Sequence, residues 1–142
     1  MTMIETETII CPACNAEQKD TVYRSINAME DPELVQKLMK GRINLFKCKE
    51  CGHEAVIQSL LLFNDYRIDL KIQYYPAHWL EDNPEGVCND YLGMLKQLKT
   101  FRQSIPFMSN SNKPESLMIV FSMDEMVNQI KFRTKLFELE NG

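Results

Sequence analysis

Two closely spaced cysteine pairs constrain the fold of this chain more than any other feature of its sequence. The first pair is Cys11-Pro-Ala-Cys14, and the second is Cys48-Lys-Glu-Cys51, which Gly52 follows directly. Closed structural sites for Zn²⁺ have four tetrahedral nitrogen or sulfur ligands, and two Cys-x-x-Cys loops supply four sulfurs. We therefore predict one structural Zn²⁺ per chain, bound by Cys11, Cys14, Cys48 and Cys51.

The residue after each pair suits the turn that such a pair forms. A Cys-x-x-Cys turn points backbone amides at the thiolates, and the residue that follows often needs a positive φ. Gly52 meets this need in the second loop, and Asn15 tolerates it in the first. His53 comes next and could compete as a ligand, but four sulfurs already complete the coordination. We therefore expect the His53 side chain to lie in solvent or beside a ligand.

The cysteine pairs admit two other interpretations, and the surrounding sequence argues against both. The first pair alone resembles the motif of thioredoxin-type oxidoreductases, which follows a strand and opens a helix. Residues 15–20 are polar without a helical pattern, and Val22 and Tyr23 favour a strand. Structural disulfides are typical of secreted proteins, and no signal-peptide pattern precedes the pairs. A redox-active Cys-x-x-Cys protein is kept as an alternative.

Composition and charge indicate one ordinary domain over residues 1–142. The chain has 44% hydrophobic and 25% charged residues, which is usual for a globular protein. Its longest uninterrupted apolar run, residues 117–121, is too short to span a membrane. The net charge is −4, and neither half of the chain has an excess of Lys and Arg, which argues against nucleic-acid binding. Reduced cysteines without an export signal predict a cytoplasmic protein.

A zinc-ribbon-like part is predicted for residues 5–59. Residues 6–10 and 17–26 are predicted as paired strands on either side of the first cysteine loop. Residues 43–46 and 54–58 are predicted as the strands that flank the second loop. Two hairpins would then face one metal ion.

A helix is predicted between the two loops, over residues 31–41. Asp31 suits the N-cap, and Gly41 suits the left-handed position that ends a helix. Leu34 and Leu38 form its apolar stripe. Because a long segment separates the two cysteine pairs, metal binding would also offset the entropy lost in closing that loop.

Residues 60–142 are predicted to add strands and helices that complete a single α+β domain. Apolar and polar residues alternate in a half-buried strand, and apolar residues recur at helical spacing in two amphipathic helices. Ser122 and Glu125 have the spacing of a capping box at the start of the second helix. The predicted elements are a turn at 64–65, a strand at 66–75, a loop at 74–83, a helix at 87–105, a loop at 107–115, a strand at 117–121 and a helix at 123–139.

Three residues in this second part have no role that the sequence assigns. His78 and Trp79 lie in the predicted loop, where aromatic side chains form a recognition patch or cap the core, and we favour the latter. Cys88 is the fifth cysteine, and no nearby histidine could activate it as a nucleophile. We interpret it as a small, mostly buried apolar side chain.

The last predicted helix is apolar on two sides. Phe132, Leu136 and Leu139 recur at helical spacing on a second face, apart from the residues that would face the core. A helix that is apolar on two sides usually contacts more than its own core. We therefore predict a homodimer or protein-partner surface at these three residues.

Several motifs together resemble the CpXC domain of bacterial and archaeal proteins. They are residues 7–10 before the Cys-Pro-x-Cys loop, residues 44–53 around the second pair, residues 61–65, and Tyr75-Pro76 at the end of the next strand. The resemblance covers most of the chain and maps the family's defining cysteines onto the two pairs. It implies a cysteine-based metal module in a prokaryotic cytoplasm. It implies no catalytic residue, because no biochemical activity is established for the family.

The favoured function is a zinc-binding structural module, non-catalytic, that acts in protein interaction or regulation. Four cysteines deny the open position of a catalytic zinc, and pairing His78 with Asp82 or Asp65 has no motif behind it, so the sequence leans away from an enzyme. The alternative is a nucleic-acid-binding zinc ribbon. Basic residues near the second pair would carry it, namely Lys37, Lys40, Arg42, Lys47 and Lys49.

Overall fold

The computed structural model of the chain describes residues 2–104 and 117–141. Within these ranges seven strands form two sheets, and four helices accompany them, so the α+β prediction is confirmed. The zinc-ribbon description of residues 5–59 stays a prediction. The strands are β1 (Met3–Ile10), β2 (Glu17–Asn27), β3 (Leu45–Lys47), β4 (Glu54–Val56), β5 (Leu61–Asp65), β6 (Leu70–Tyr74) and β7 (Met118–Val120), and the helices are α1 (Pro32–Met39), α2 (Ala77–Asp82), α3 (Pro84–Ser104) and α4 (Met123–Asn141).

The larger sheet has five strands in the order β1-β2-β5-β6-β7. Strand β2 pairs antiparallel with β1 and parallel with β5, β5 pairs antiparallel with β6, and β6 pairs parallel with β7. Each parallel pair needs a crossover connection. One crossover contains α1 and the β3–β4 hairpin, and the other contains α2 and α3. The smaller sheet is the antiparallel β3–β4 hairpin alone.

Strand β2 extends well beyond the few residues that pair with its neighbour β5. Only Ser25, Ile26 and Asn27 at its C-terminal end pair with β5, whereas the residues before them pair with β1 alone. Burial rises in the same direction, from exposed Glu17 to fully buried Ile26. The β1–β2 hairpin therefore extends beyond the sheet as an arm, and the first cysteine loop lies at the tip of that arm.

The main hydrophobic core lies between the sheet and two helices. Twelve buried side chains form one cluster, to which β2, β5, β6, β7, α1 and α4 contribute. Leu34 and Leu38 of α1 are buried in it, as the sequence predicts. The predicted cap positions of α1 are correct, since Asp31 is the N-cap residue and Gly41 has a φ of 70°, although the Asp31 side chain makes no capping hydrogen bond.

The strand predicted for residues 66–75 is wrong in its first half. Tyr66–Ile68 forms a 3-10 turn, and the strand begins only at Leu70. The Asp65 carboxylate accepts a hydrogen bond from the Arg67 N–H at 3.1 Å, and Asp69 has a φ of 53°, so the chain reverses here. The turn predicted at residues 64–65 is therefore displaced. Strand β6 is buried along nearly its whole length rather than on alternate residues, so both of its faces are covered.

The loop predicted for residues 74–83 is also wrong, because Ala77–Asp82 forms helix α2. Pro76 precedes this helix with a φ of −56°, and its carbonyl accepts the Trp79 N–H at 3.0 Å. Helix α3 begins at Pro84, earlier than predicted, since the Asn83 side chain accepts the Gly86 N–H at 3.0 Å. The predicted end of this helix beyond residue 104 and the loop at 107–115 lie outside the described residues.

Helix α4 begins close to the predicted position. The Ser122 hydroxyl accepts the Glu125 N–H at 3.1 Å, and the Glu125 carboxylate accepts the Phe121 N–H at 3.3 Å, one residue earlier than in a capping box. Met126 and Ile130 are buried in the core. Within residues 2–104 and 117–141, no helix has both the length and the apolar composition needed to cross a membrane.

Candidate metal centre

The structure brings the four predicted ligands together. The Sγ atoms of Cys11, Cys14, Cys48 and Cys51 all lie within 4.8 Å of one another. Two distances that cross between the loops, Cys11 to Cys51 and Cys14 to Cys48, are 3.6 Å. A tetrahedron with Zn–S bonds of about 2.3 Å has edges of roughly 3.8 Å. The thiols are free, and 3.6 Å is well beyond the disulfide bond length of about 2.05 Å, so the donor set and its spacing fit one tetrahedral metal ion.

The two cysteine loops have the same backbone hydrogen bonds. In the first loop the Cys11 N–H donates to the Ala16 carbonyl at 2.9 Å, and the Asn15 N–H donates to the Cys11 carbonyl at 2.8 Å. In the second loop Cys48 makes the matching pair with His53 and Gly52, both at 2.9 Å. The repeated turn places two sulfurs on the same side of each loop.

The predicted backbone conformation after each pair is confirmed. Asn15 has a φ of 62° and Gly52 a φ of 76°. In this left-handed region Gly is favoured, and Asn is tolerated more readily than most other residues. Each loop therefore reverses direction immediately after its second cysteine, which brings the returning strand back beside the strand that entered.

Backbone amides in the second loop favour the thiolate of Cys48. Hydrogen bonds from the N–H groups of Cys51 and Glu50 lower the pKa of Cys48 from 9.0 to about 7. Charge-assisted hydrogen bonds of this kind are also the usual environment of a metal-bound thiolate. Cys48 therefore ionises more readily than an ordinary cysteine does.

Proximity to the other sulfurs opposes further ionisation. The Ala16 amide favours the Cys14 thiolate, but the Cys48 thiol, burial and the remaining cysteines together raise the pKa of Cys14 from 9.0 to about 12. At Cys51 the His53 amide lowers the pKa, and partial desolvation of the sulfur together with the thiols of Cys11 and Cys48 raises it by more. Four thiolates therefore need a cation among them, and binding one would release the thiol protons.

A small apolar cluster surrounds the sulfurs. Cys11, Phe46 and Cys48 are its buried members, with Cys11 fully inaccessible to solvent. Ile9, Ala16, Ala55 and Ile57 pack around them only partly buried. Cys14 and Cys51 are exposed, so the centre has one protected side and one side toward solvent. This cluster is separate from the main core and has three buried members among the described residues, against twelve in the core.

Two amide side chains dock the β3–β4 hairpin onto β2. The Gln18 side chain donates to the Lys47 carbonyl at 2.9 Å and accepts the Lys49 N–H at 3.0 Å, so it binds the backbone on both sides of Cys48. Asn44 likewise accepts the Tyr23 N–H at 2.8 Å and donates to the Tyr23 carbonyl at 3.0 Å. Since β3 and β4 form a sheet separate from that of β2, these side-chain hydrogen bonds connect the two sheets where none of the described strands pair.

Sequence reasoning missed both docking residues. Gln18 lies in a polar stretch of β2 where nothing in the spacing distinguishes it from its neighbours. Asn44 has a φ of 55°, and its position just before β3 is the only sequence signal, because Asn is tolerated in that conformation. The amide of each side chain supplies one donor and one acceptor, which is what a backbone segment without a strand partner needs.

The other residues named in the sequence analysis lie outside the cysteine cluster. The His53 side chain is exposed, and only its backbone carbonyl serves the second loop. Cys88 is exposed on α3, so its interpretation as a mostly buried side chain is wrong. Among the described side chains, no hydrogen bond or ion pair joins His78 to Asp82 or Asp65; Asp65 instead pairs with Arg67 at 3.7 Å.

The basic residues around the second loop are spread over several elements. Lys37 and Lys40 lie at the end of α1, and Arg42 follows it. Lys47 forms an exposed ion pair with Glu54 at 3.9 Å. Exposed pairs of this kind contribute little to stability. We interpret these basic side chains as part of an ordinary solvated surface.

Comparison with known proteins returned one family. The model of the family described as CpXC protein matches residues 9–138, which include all four clustered cysteines. No curated protein and no solved structure matches the chain significantly.

Proposed function

The chain belongs to the CpXC protein family, and on that premise we propose that it is a non-catalytic interaction module whose fold is stabilised by one structural Zn²⁺. The observation that carries the proposal is the cluster of four Sγ atoms within 4.8 Å, presented by two loops with matching hydrogen bonds. Membership of the family brings no stated activity. The chemistry of the cysteine cluster and the exposed apolar side chains of α4 support the proposed function.

Zinc is the metal that this donor set favours. Four thiolates are soft ligands, and tetrahedral sulfur coordination is typical of Zn²⁺ or of iron. Cys14 and Cys51 are exposed while Cys11 and Cys48 are buried, so the ion would be anchored on one side and reachable from the other. Zn²⁺ has no redox chemistry, which suits a site whose purpose is to hold two hairpins in place.

The closed ligand set supports a structural role. A catalytic Zn²⁺ has three protein ligands and keeps a fourth position for water or substrate. Here Cys11, Cys14, Cys48 and Cys51 fill all four positions. The chemistry such an ion supplies is the neutralisation of the thiolates, and the free energy of binding it then becomes folding free energy.

Elemental analysis of untagged protein, purified under reducing conditions, tests the metal assignment. We expect one zinc per chain in the wild type and in Cys88→Ser, since Cys88 lies outside the cluster. We expect Cys14→Ser to lose most of its zinc. Iron in place of zinc, or metal-free protein whose pairs cycle between dithiol and disulfide, would overturn the assignment and favour a redox function.

The interaction surface we propose is the outer face of α4. Phe132 is 60% exposed and Leu139 is 71% exposed, and Leu136 lies between them at helical spacing. Large apolar side chains grouped on one helix face are typical of a protein–protein contact. A homodimer through this face, or a complex with another protein, would remove the three side chains from water.

Sedimentation velocity over a wide concentration range tests this surface. We expect the wild type to self-associate and Phe132→Ser to shift it toward the monomer. Leu92→Ser is a matched control, because Leu92 is also 60% exposed but lies on α3. A wild-type protein that stays monomeric far above cellular concentrations would rule out the homodimer, and equal effects of the two substitutions would rule out a specific role for α4.

A further inference from the structure

We propose that a cavity between β6, α2 and α3 binds a small organic cation, such as an alkylammonium ion. The cavity has a volume of about 440 Å³, which is within the usual range for small-molecule sites. Its walls combine aromatic rings and carboxylates, and it contains none of the four clustered cysteines. The site is therefore independent of the metal centre and goes beyond the proposed function.

The lining of the cavity is acidic. Asp82 and Asp90 both line the cavity, and no Lys or Arg does. The surrounding sequence has the same bias, since Lys71 and Lys96 are separated by a stretch with four carboxylates and no basic residue other than His78. Within the described part of the chain, no hydrogen bond or ion pair occupies the Asp82 carboxylate. A cation is the ligand that this electrostatic environment favours.

One wall of the cavity consists of two aromatic side chains. Trp79 and His78 line the cavity with ring centroids 6.5 Å apart and ring planes at 83° to each other. Trp is the side chain that attracts cations most strongly through its ring face. Leu60 and Val87 add apolar surface to the same cavity. Alkyl groups around a positive nitrogen would contact such walls more favourably than a hydrated inorganic ion would.

A buried tyrosine forms the floor of the cavity and contacts one of its two carboxylates. Tyr75 is 1% exposed, and its hydroxyl donates a hydrogen bond to the Asp90 carboxylate. Burial and the hydrogen bond to Asp90 raise the pKa of Tyr75 well above its usual value, so the hydroxyl keeps its proton and stays a donor. The Tyr75 hydroxyl therefore holds the Asp90 carboxylate in place at the edge of the cavity.

The junction of α2 and α3 also shapes the cavity. Asn83 and Gly86 both line it, and the Asn83 side chain accepts the Gly86 N–H at 3.0 Å. A Cβ at Gly86 would lie 2.4 Å from the Asn83 side-chain nitrogen, so only Gly leaves this capping contact undisturbed. The helix that carries Trp79 is thus fixed relative to the helix that carries Asp90.

The tryptophan itself provides the experiment, because Trp79 is the only Trp in the chain. We would titrate zinc-loaded full-length protein with choline and follow tryptophan fluorescence at low ionic strength. The control ligand is 3,3-dimethyl-1-butanol, which has nearly the same shape but no charge. We expect a saturable change with choline that weakens as salt is added and no saturable change with the neutral alcohol. An equal response to both ligands, or no saturable response to choline, would overturn the proposal.

Substitutions locate the binding site. We expect Asp82→Asn to weaken choline binding by about fivefold or more, because it removes a full charge from the cavity lining. Glu81→Gln makes the same charge change one residue away on α2, outside the lining, and should alter binding by less than about twofold. Asp90→Asn should also weaken choline binding. If loss of the Tyr75 hydrogen bond disturbs the folding of that variant, Asp82→Asn still tests the site, because no described side chain makes such a contact with Asp82. Equal effects of Asp82→Asn and Glu81→Gln would show a diffuse attraction and refute a site in this cavity.

Discussion

The two ends of strand β2 are held by different means. At its C-terminal end, Ile26 is fully buried in a cluster of twelve side chains that the sheet, α1 and α4 share. At its N-terminal end, the neighbouring cluster has three buried residues among those described, and two of them are Cys11 and Cys48 of the cysteine cluster. Apolar burial thus surrounds one end, whereas the other has the four cysteines and the amide hydrogen bonds of Gln18 beside it.

This difference explains why the cysteine loops occur where they do. A β-hairpin that leaves its sheet has little apolar surface to bury and is marginally stable by itself. A metal ion can replace the missing core, since small domains use metals when apolar burial is insufficient. We use the term metal arm for the β1–β2 hairpin tip together with the β3–β4 hairpin. We therefore expect metal removal and core substitutions to affect the stability of the metal arm and of the five-stranded sheet differently.

Metal removal should have the largest effect and should be confined to the metal arm. Structural Zn²⁺ binds with a free energy of roughly 10 kcal/mol, which the arm would lose in a strong chelator. Hydrogen exchange measured by mass spectrometry should then show loss of protection in β3, β4 and the tip of β2, while β5 and β6 stay protected. Cys48→Ser should behave like the chelated wild type.

The control for this first prediction is Cys88→Ser, which removes an exposed thiol outside the cluster and should leave exchange unchanged. Simultaneous loss of protection in the metal arm and in β5 and β6 would contradict the inference that the two parts are stabilised by different means. It would mean that the sheet needs the metal as much as the arm does.

A substitution that leaves a void in the main core should have the opposite effect, destabilising the five-stranded sheet while the metal centre stays intact. Ile72 is fully buried in β6, and Ile72→Ala removes three methyl or methylene carbons from the cluster. We expect a loss of about 2–5 kcal/mol in the free energy of unfolding by urea. Zinc content should stay at one per chain in native conditions, because the ligands are not touched.

Leu92→Ala is the matched control for the core substitution. Leu92 is 60% exposed, so its truncation should change the free energy of unfolding by less than about 0.5 kcal/mol. A variant Ile72→Ala that lost its metal before any loss of the sheet would show that the core and the metal arm form a single cooperative unit.

The parts of the molecule that follow from local chemistry were predictable from the sequence. The spacing of the cysteines identified the cluster, and the need for a positive φ identified Asn15 and Gly52 as the residues that close the turns. Leu34 and Leu38 were placed correctly for the same reason, because a 3.6-residue period requires only neighbouring residues.

Two kinds of feature were not predictable: short local elements that have no sequence period, and contacts between residues far apart in the sequence. Residues 66–75 alternate as a strand would, but the Asp65 side chain captures the Arg67 amide and turns the chain first. Helix α2 is too short for periodicity to reveal it. The docking of Gln18 onto the second loop joins residues far apart in sequence, and no local pattern encodes such a contact.

Gln18 allows a finer test of what holds the metal arm. Gln18→Ala would remove two hydrogen bonds to the backbone beside Cys48, and at about 0.5–1.5 kcal/mol each the loss should total about 1–3 kcal/mol. We expect this loss to appear as weaker zinc binding, by about fivefold to 150-fold, in competition with a chromogenic chelator. Gln36→Ala on α1, an exposed Gln outside the arm, should not change zinc binding. Unchanged affinity in Gln18→Ala would show that the metal alone positions the second loop.

The smallest expected effect separates backbone conformation from packing. Gly52 has a φ of 76°, and a Cβ added there would meet no atom within 4 Å. The cost of Gly52→Ala, about 1 kcal/mol, would therefore come from the left-handed conformation alone. A Cβ at Gly93 in α3 also meets nothing within 4 Å, but Gly93 has an ordinary helical conformation. Gly93→Ala should therefore stabilise the protein by about 0.5–1 kcal/mol. Thermal unfolding of the zinc-loaded proteins should show shifts of opposite sign, and a shift of the same sign in both would mean that the second loop changes conformation to accept the new side chain.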